Sequence, residues 1–375
     1  MKNENANTVL IAGGYGVVGS QIAKIIRQRH PTTPLLLGGR NPASAKPLVQ
    51  QLGNAKGVAL DLESTAPLLG LSARPTVVLN VVNDPHNYLL LDCVRAGVPY
   101  IDITRWTERM REAIVRVALE DNLRAPVMLG SAWMAGVAVI LAQAASESFS
   151  VVDRIDLDIL FAMADKAGPN SAEYMDRLSI PFDVKVNGEL QQRMPFSDPK
   201  TVDFPGGYSG KVYRFDVPDQ MTLPSTTGAK SVSGRIGFDS GSATGSLAFM
   251  ANSGIMKLLN RPMFDGLRRG LLYNPGEGAA HELVIEVEGK DSEGRPHKNR
   301  VTVVDPEGQT HLTACGAVVQ LERVLGLDGL PALGAGVHFP EKGSNIGAAL
   351  DLFGDNGVLI RGLSERSESR LAEAV

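Results

Sequence analysis

Thr8-Val-Leu-Ile-Ala-Gly-Gly-Tyr-Gly-Val-Val-Gly19 is the stretch whose reading decides the fold. Thr8–Ala12 is a β-branched and apolar run, as a buried strand requires. Beyond the glycines, Val18, Ile22, Ile25 and Ile26 recur at helical spacing. A second apolar run, Leu35-Leu36-Leu37, ends at Gly38-Gly39-Arg40. Strand, glycine turn, helix and strand form the setting in which Gly14-x-Gly16-x-x-Gly19 acts as a dinucleotide fingerprint. Gly14 permits the tight turn, Gly16 lets the backbone approach a pyrophosphate, and Gly19 lets helix and strand pack closely. The pyrophosphate sits at the helix N-terminus, where free N–H groups and the helix dipole favour an anion. Gly13, Gly14, Tyr15, Gly16, Val17, Val18 and Gly19 are therefore the candidate contacts. The alternative is a strand-to-helix turn that holds nothing.

The end of the second strand bears on the choice between NAD and NADP. An NAD site usually sets Asp or Glu on the ribose hydroxyls, about 20 residues beyond the motif. Here that strand ends in Gly39-Arg40-Asn41, and no Asp or Glu occurs from Asn5 to Leu60. The same stretch carries Lys24, Arg27, Arg29, Arg40, Lys46 and Lys56. A 2′-phosphate needs a cation and donors, so Arg40 is expected to pair with it, with Asn41 and Ser44 as further donors. Asp61 reads either as a contact to the adenine ring or as a helix cap. The expected cofactor is NADP(H) rather than NAD(H).

A length of 375 residues suggests two domains, and 43% hydrophobic with 21% charged residues is ordinary for a globular chain. A formal charge of −4 gives no basic bias, so nucleic acid is not an expected partner. Cys93 and Cys315 form no ligand-spaced cluster; no metal is expected, and a reducing cytoplasmic setting is the simplest. Met1–Asn7 is polar, with no apolar signal core after it. No apolar run reaches membrane length: Val127–Ala145 comes nearest but holds Ser131, Gln143 and two glycines.

Apolar runs at Val58–Leu60, Thr76–Val82, Tyr100–Ile103 and Val127–Leu129 alternate with helical patterns at His86–Ala96 and Thr107–Asn122. That alternation predicts an α/β fold with a Rossmann-type, doubly wound parallel sheet. Ala135–Ser146 reads as a long apolar helix closing this half. From Val152 the texture changes. Asp153–Phe161, Lys211–Val217, Ser231–Phe238, Glu282–Glu288 and Lys298–Val304 alternate apolar and polar, the pattern of a mostly antiparallel sheet in a second, α+β domain. Gly254–Leu272 is basic and helical, and His311–Leu325 reads as a helix returning to the first domain. The expected division is a dinucleotide domain over 1–148, completed by 311–375, and a substrate-binding and dimerisation domain over 149–310.

Together these pieces resemble the saccharopine dehydrogenase-like (saccharopine reductase-like) family of NAD(P)-dependent oxidoreductases. The resemblance is carried by Gly13–Gly19, Gly39-Arg40, Val77–Val82 before Asn83-Asp84-Pro85, and Cys93-Val-Arg-Ala-Gly97-Val-Pro-Tyr100-Ile-Asp102. Thr313–Val318 and Gly336-Val337-His338-Phe339-Pro340-Glu341 carry it at the far end. It implies a chain that returns after the second sheet to complete the first domain, a homodimer through that sheet, and hydride transfer to or from an imine. The chain departs from the family at Asn83-Asp84-Pro85-His86, at Asp102-Ile103-Thr104-Arg105-Trp106 and at Ser131–Gly136. These loops touch substrate in such folds, so the departures bear on which substrate is used.

Reduction of a polarised double bond needs an acid near the acceptor atom. His86, after the fourth strand, is the first candidate; its other reading is a solvent-facing histidine at a helix start. Asp102 and Thr104 end the fifth strand, either near the acceptor or in loop hydrogen bonds. Arg105 can clamp a substrate carboxylate through two parallel hydrogen bonds. Trp106 and Trp133 wall a pocket or pack the core, and Asn80 and Asn83 are expected on the cofactor ribose side. Tyr174, Arg177, Tyr208, Lys211 and Tyr213 are either cleft or surface residues. His338 shapes the turn of its element, and His311 with Cys315 has no third ligand nearby in sequence. No Tyr-x-x-x-Lys pair and no Gly-x-Ser-x-Gly occurs, which disfavours a short-chain reductase and a hydrolase. Three functions follow: an NADP(H)-dependent oxidoreductase acting on C=N or C=O of a small polar, carboxylated substrate; an enoyl reductase on a carrier-bound acyl chain; or a non-catalytic NADP(H) sensor or scaffold.

Overall fold

Six parallel strands order themselves around the glycine turn. They were located in a computed structural model that describes residues 7–165, 177–255 and 276–363. The chain divides into two units, Met1–Gly136 with Thr313–Pro340, and Val137–Leu312 with Glu341–Val375. In the first unit β1 (Val9–Ala12), α1 (Val17–Arg29), β2 (Leu35–Gly39), α2 (Lys46–Leu52) and β3 (Ala55–Ala59) are followed by β4 (Val77–Asn80), α3 (Tyr88–Ala96), β5 (Tyr100–Arg105), α4 (Thr107–Ala118) and β6 (Pro126–Ser131). The sheet runs β6-β5-β4-β1-β2-β3, all parallel, and the short strand Gly336–His338 adds to its edge beside β6. This is the doubly wound order with its crossover between β1 and β4, where such sheets bind nucleotides. β1 is buried along its whole length, and α1 buries Ile22, Ala23 and Ile26 beneath it. Each such aliphatic side chain removed from water stabilises the fold by roughly 1.5–3 kcal/mol.

The second unit opens with α5 (Val137–Ser146) and β7 (Val151–Phe161). Then come β8 (Phe182–Val186), β9 (Glu189–Arg193), β10 (Lys200–Asp203), β11 (Ser209–Arg214), α6 (Asp219–Thr227), β12 (Ser231–Phe238), α7 (Gly241–Asn252), β13 (His281–Lys290) and β14 (Pro296–Asp305). Its sheet runs β10-β11-β12-β7-β13-β14 and ends on the strand Leu359–Arg361; only β12 and β7 pair in parallel. One face carries Ile155, Leu157, Ile159, Leu283, Ile285 and Val287, all buried, and α5 packs against β13 and β14. The helix α8 (Gln309–Leu325) then leads the chain back into the first unit.

Two boundaries and the number of elements in the second unit differ from the sequence expectation. The apolar helix begins at Val137 and groups with the second unit, because its mostly apolar surface finds cover on that unit's sheet. The segment from Glu341 onward does not complete the first unit: Leu359–Arg361 extends the second sheet beside β14. Fewer elements were expected after Phe161 than are present, with β8–β9, β10, α6 and α7 all unanticipated. Most of the basic stretch 254–272, the candidate Tyr174 and the tail after Ser364 fall outside the described residues. Among the described residues, no helix is long and apolar enough to cross a membrane.

The opposite face of the second sheet buries charge. Lys200 Nζ lies 2.8 Å from Asp156, 2.7 Å from Asp158 and 2.8 Å from Glu286. Among the described residues these three carboxylates are the one group of acids close enough to share a cation, and the ammonium fills it. Burial alone would raise the Asp156 carboxyl, but Lys200 and Arg235 bring it down from 3.8 to about 2. A depressed folded-state pKa stabilises the protein above the ordinary value and loses that stabilisation as pH falls toward the folded value. Lys200→Met leaves Asp156 to Arg235 and Glu286 to Lys298 but deprives Asp158 of its closest cation, and should cost up to about 3–5 kcal/mol at pH 7, the scale for breaking a buried ion pair. Without the ammonium the carboxyls titrate upward, so the deficit should shrink as pH falls from about 7 to 5. Urea unfolding at both values measures this; a pH-independent loss below about 1 kcal/mol would show that the cage stabilises nothing.

Candidate dinucleotide site

Backbone geometry demands glycine at three of the four positions in the turn. Gly13 adopts φ +85°, and its N–H donates to the Gly38 carbonyl at 2.8 Å. A Cβ on Gly14 would lie 2.9 Å from the Ile11 carbonyl oxygen, and one on Gly19 only 2.2 Å from that of Gly13. Gly16 is different. Its φ of −77° and ψ of −177° suit any residue, and an added Cβ would meet only the Gly13 carbonyl, at 3.2 Å. Folding constrains Gly16 least of the four: a Cβ would need the Gly13 carbonyl to give by a few tenths of an ångström, and nothing else within 4 Å meets it in front of α1. No side chain caps α1 and its first turn holds no acid, so its leading N–H groups and the positive end of its dipole face that space.

At the end of β2, Tyr15 crosses from the turn and lays its ring on Gly39; a Cβ there would come within 2.2 Å of the phenol oxygen. The Asn41 N–H donates to that oxygen at 3.1 Å. Arg40 is exposed, and its guanidinium has no hydrogen-bond or ion-pair partner among the described residues. Ser44 is exposed in the short turn Pro42–Ala45. Asp61 caps a turn through the Glu63 N–H at 3.0 Å, and no helix follows it.

The carboxyl ends of β4 and β5 carry a polar bracket rather than open catalytic groups. Asp102 is fully buried. Its carboxylate accepts from Tyr100 Oη (2.7 Å), from the Thr104 N–H (2.8 Å) and hydroxyl (2.7 Å), from Arg105 Nε (2.9 Å) and from Asn80 Nδ2 (3.3 Å). Arg105, also fully buried, spends Nη1 on Asn87 Oδ1 at 2.6 Å and on the Arg109 carbonyl at 3.2 Å. Its Nη2 lies 2.8 Å from Asp102. Arg109 donates to the Asp84 carbonyl and stands 5.1 Å over the Trp106 ring. Asp84 in turn caps α3 through the Tyr88 and Leu90 N–H groups, and Asn87 takes φ +58° to close the loop. Two arginines thus tie the β4–α3 loop to β5 and α4. A slip in β5–β6 pairing between Asp102 and Arg105 sets this up.

These facts correct two assignments. Burial pushes the Asp102 carboxyl up, but Arg105, Thr104 and Tyr100 hold it below its ordinary value, so it stays ionised and gives up no proton near neutrality. Arg105 is consumed inside the protein and presents no guanidinium to a substrate carboxylate. His86 is on the surface, 52% exposed, with Nε2 3.6 Å from Glu63 and its ring beside Tyr88. Asn80 is buried and engaged with Asp102 and the Val82 N–H, while Asn83 is half-buried. Trp133 belongs to the core, and Trp106 carries Arg109.

In the second unit, Tyr208 packs on Leu160, Val202, Phe204, Val212 and Val284. Arg177 reaches Asp216 at 3.3 Å, Tyr213 lies beside Phe196, and Lys211 is exposed. His311 is taken by Asp305 at 2.8 Å and Cys315 is buried. In the first unit His338 Nε2 meets the Gly334 carbonyl at 2.9 Å, which shapes its turn. Sequence reasoning missed Gln320, which donates to the Ala135 carbonyl, and Glu322, which accepts from Arg29 and His30 at 2.8 Å each. It also missed the three left-handed residues Met134, Ala135 and Gly136 after β6; only the glycine gave any local signal.

No family model and no curated protein matches the sequence. Among solved structures the chain is similar to saccharopine dehydrogenase (L-Glu forming) from Saccharomyces cerevisiae, with a TM-score of 0.62 and 13% identity over 96% of this chain and 100% of that one. The two share a fold. A myo-inositol dehydrogenase from Corynebacterium glutamicum (TM-score 0.41, 11% identity, 86% and 89% covered) is a looser likeness. So is a dihydrodipicolinate reductase from Paenisporosarcina sp. TG-14 (0.39, 14%, 88% and 97%).

The bracket makes a discriminating prediction. Arg105→Met leaves the Asp102 carboxylate buried without its cation and should cost about 3–5 kcal/mol in urea unfolding. Asp102→Asn in the same chain should restore part of that loss. A substrate clamp would behave otherwise: Arg105→Met would keep wild-type stability and raise KM alone.

Proposed function

We propose that this protein is an NADP(H)-dependent oxidoreductase of the saccharopine dehydrogenase-like type, acting on a C=N or C=O bond of a small polar substrate. The observation that carries the proposal is Gly16, the least constrained glycine of the turn, at the uncapped N-terminus of α1 and the crossover of a doubly wound sheet. The fold shared with saccharopine dehydrogenase supports it. When bound, the nicotinamide supplies or accepts a hydride. The N–H groups that open α1, at Val17, Val18 and Gly19, hold the pyrophosphate, and Arg40 neutralises the 2′-phosphate. Arg105, buried against Asp102 and Asn87, offers no cation to a substrate carboxylate. Of His86, Asp102 and Arg105, only His86 has an exposed side chain, so His86 is retained as the proton donor. The homodimer through the second unit is part of the same proposal.

Titration with NADPH and NADH tests the cofactor assignment, and roughly tenfold tighter NADPH binding is expected, the scale of a hydrogen bond to a charged group. Arg40→Ala should weaken NADPH by about 1–3 kcal/mol and spare NADH; equal affinities for the wild type would sink the preference. Gly16→Val should fold, as its backbone angles permit, yet bind neither dinucleotide. Normal binding by that variant would move the cofactor elsewhere. His86→Ala should lower kcat by roughly 10²–10⁴, the range for a general acid; unchanged kcat would remove His86 from the chemistry.

A further inference from the structure

We infer that Tyr15 is a specificity determinant of this site, its phenol hydroxyl donating to the 2′-phosphate of an adenine dinucleotide. The inference rests on the reading just proposed and deepens it. Tyr15 sits between two glycines of the turn, yet its ring is carried to the end of β2. A Cβ on Gly39 would fall 2.2 Å from Oη, 2.5 Å from Cζ and 2.8 Å from Cε1. Gly39 is therefore the seat of the ring, and the ring is fixed at the strand end that bears Arg40.

The phenol oxygen accepts the Asn41 N–H at 3.1 Å. A phenol that accepts one hydrogen bond still has its own proton to donate. No acceptor among the described residues takes that proton, and Tyr15 is half-exposed. Accepting from a backbone N–H polarises the O–H and strengthens it as a donor. Arg40 is next in the chain to Asn41, exposed and without an ion-pair partner among the described residues. No carboxylate occurs from Asn5 to Leu60 to compete for either group. A donor hydroxyl and a cation without an ion-pair partner at one strand end suit a phosphate dianion. A ribose hydroxyl can also accept from Tyr15, but that bond is neutral, whereas the bond to phosphate is charge-assisted and about twice as strong. The hydroxyl thus separates NADPH from NADH, rather than serving both equally.

Calorimetric titration with 2′,5′-ADP, 5′-ADP, NADPH and NADH tests this. Tyr15→Phe keeps the ring on Gly39 and deletes only the hydroxyl. It should weaken 2′,5′-ADP and NADPH by roughly tenfold, the scale of one hydrogen bond to a charged group, and shift 5′-ADP and NADH less than about twofold. Gly39→Ala, which evicts the ring, should reproduce that selective loss; thermal melting checks that both variants fold. Wild-type protein that binds no adenine dinucleotide would overturn the oxidoreductase reading itself. Wild-type protein that prefers NADPH, with Tyr15→Phe keeping the same NADPH-to-NADH ratio, would overturn only the role of Tyr15. Equal wild-type affinity for 2′,5′-ADP and 5′-ADP would overturn it as well.

Discussion

A carboxylate removed from water must be met by donors on every side, and Asp102 fixes the carboxyl edge of the first sheet for that reason. It gathers Asn80 from β4, Tyr100, Thr104 and Arg105 from β5, and through Arg105 the loop residue Asn87. None of these can move without leaving a buried polar atom unmatched. The loop that follows β4 is consequently held from β5 and α4, and α3 starts where Asp84 caps it. Rigidity at this edge is what a cofactor site needs, because a site on a braced loop keeps its geometry. The second unit solves the same problem with the opposite sign at the centre: one ammonium, Lys200, surrounded by three carboxylates. In both clusters a buried charge is faced by groups of the opposite sign.

Elements with strong apolar periodicity were legible in the sequence, and elements without it were not. β1, α1, β2 and Ser231–Phe238 announce themselves because each buries a face that must be apolar. α7 does not: Gly241-Ser-Ala-Thr-Gly-Ser-Leu-Ala is poor in helix formers, and its signals reduce to a Ser240 cap and the small residues it buries. The β8–β9 hairpin did carry a local signal, Asn187-Gly188 with φ of +51° and +86°, the dipeptide that favours tight hairpins. The unit boundary at Gly136 was invisible for a different reason. A helix apolar on nearly every side shows that it will be covered, but not by which sheet.

The site was legible in the same uneven way. The glycine turn is a local motif, so its members follow from spacing alone. Asp102 and Arg105 are three residues apart, and sequence offers each to a ligand as readily as to the other. What decides between those fates is the β-bulge between them, together with the arrival of Asn87 and Arg109 from other elements. That information is tertiary. His86 escaped this fate because the cap of α3 is made by Asp84, which leaves the histidine on the outer side of the loop.

The most useful functional signal is therefore a residue that folding leaves unexplained. Gly13 answers to a positive φ, Gly14 and Gly19 to backbone oxygen atoms within 3 Å of where a Cβ would stand, and Gly39 to the Tyr15 ring. Arg105 and Lys200, the most suggestive cations by sequence and by burial, answer to carboxylates of the same chain. Gly16, the uncapped N-terminus of α1 and Arg40, whose guanidinium has no partner among the described residues, are not accounted for in that way. All three lie on the β1–α1–β2 segment, at the carboxyl ends of its strands. Stability alone would favour a capping Ser or Asp ahead of α1, and a carboxylate to pair with Arg40. A phosphate-bearing ligand explains both omissions at once: its anions take the places that a cap and a counter-ion would otherwise fill.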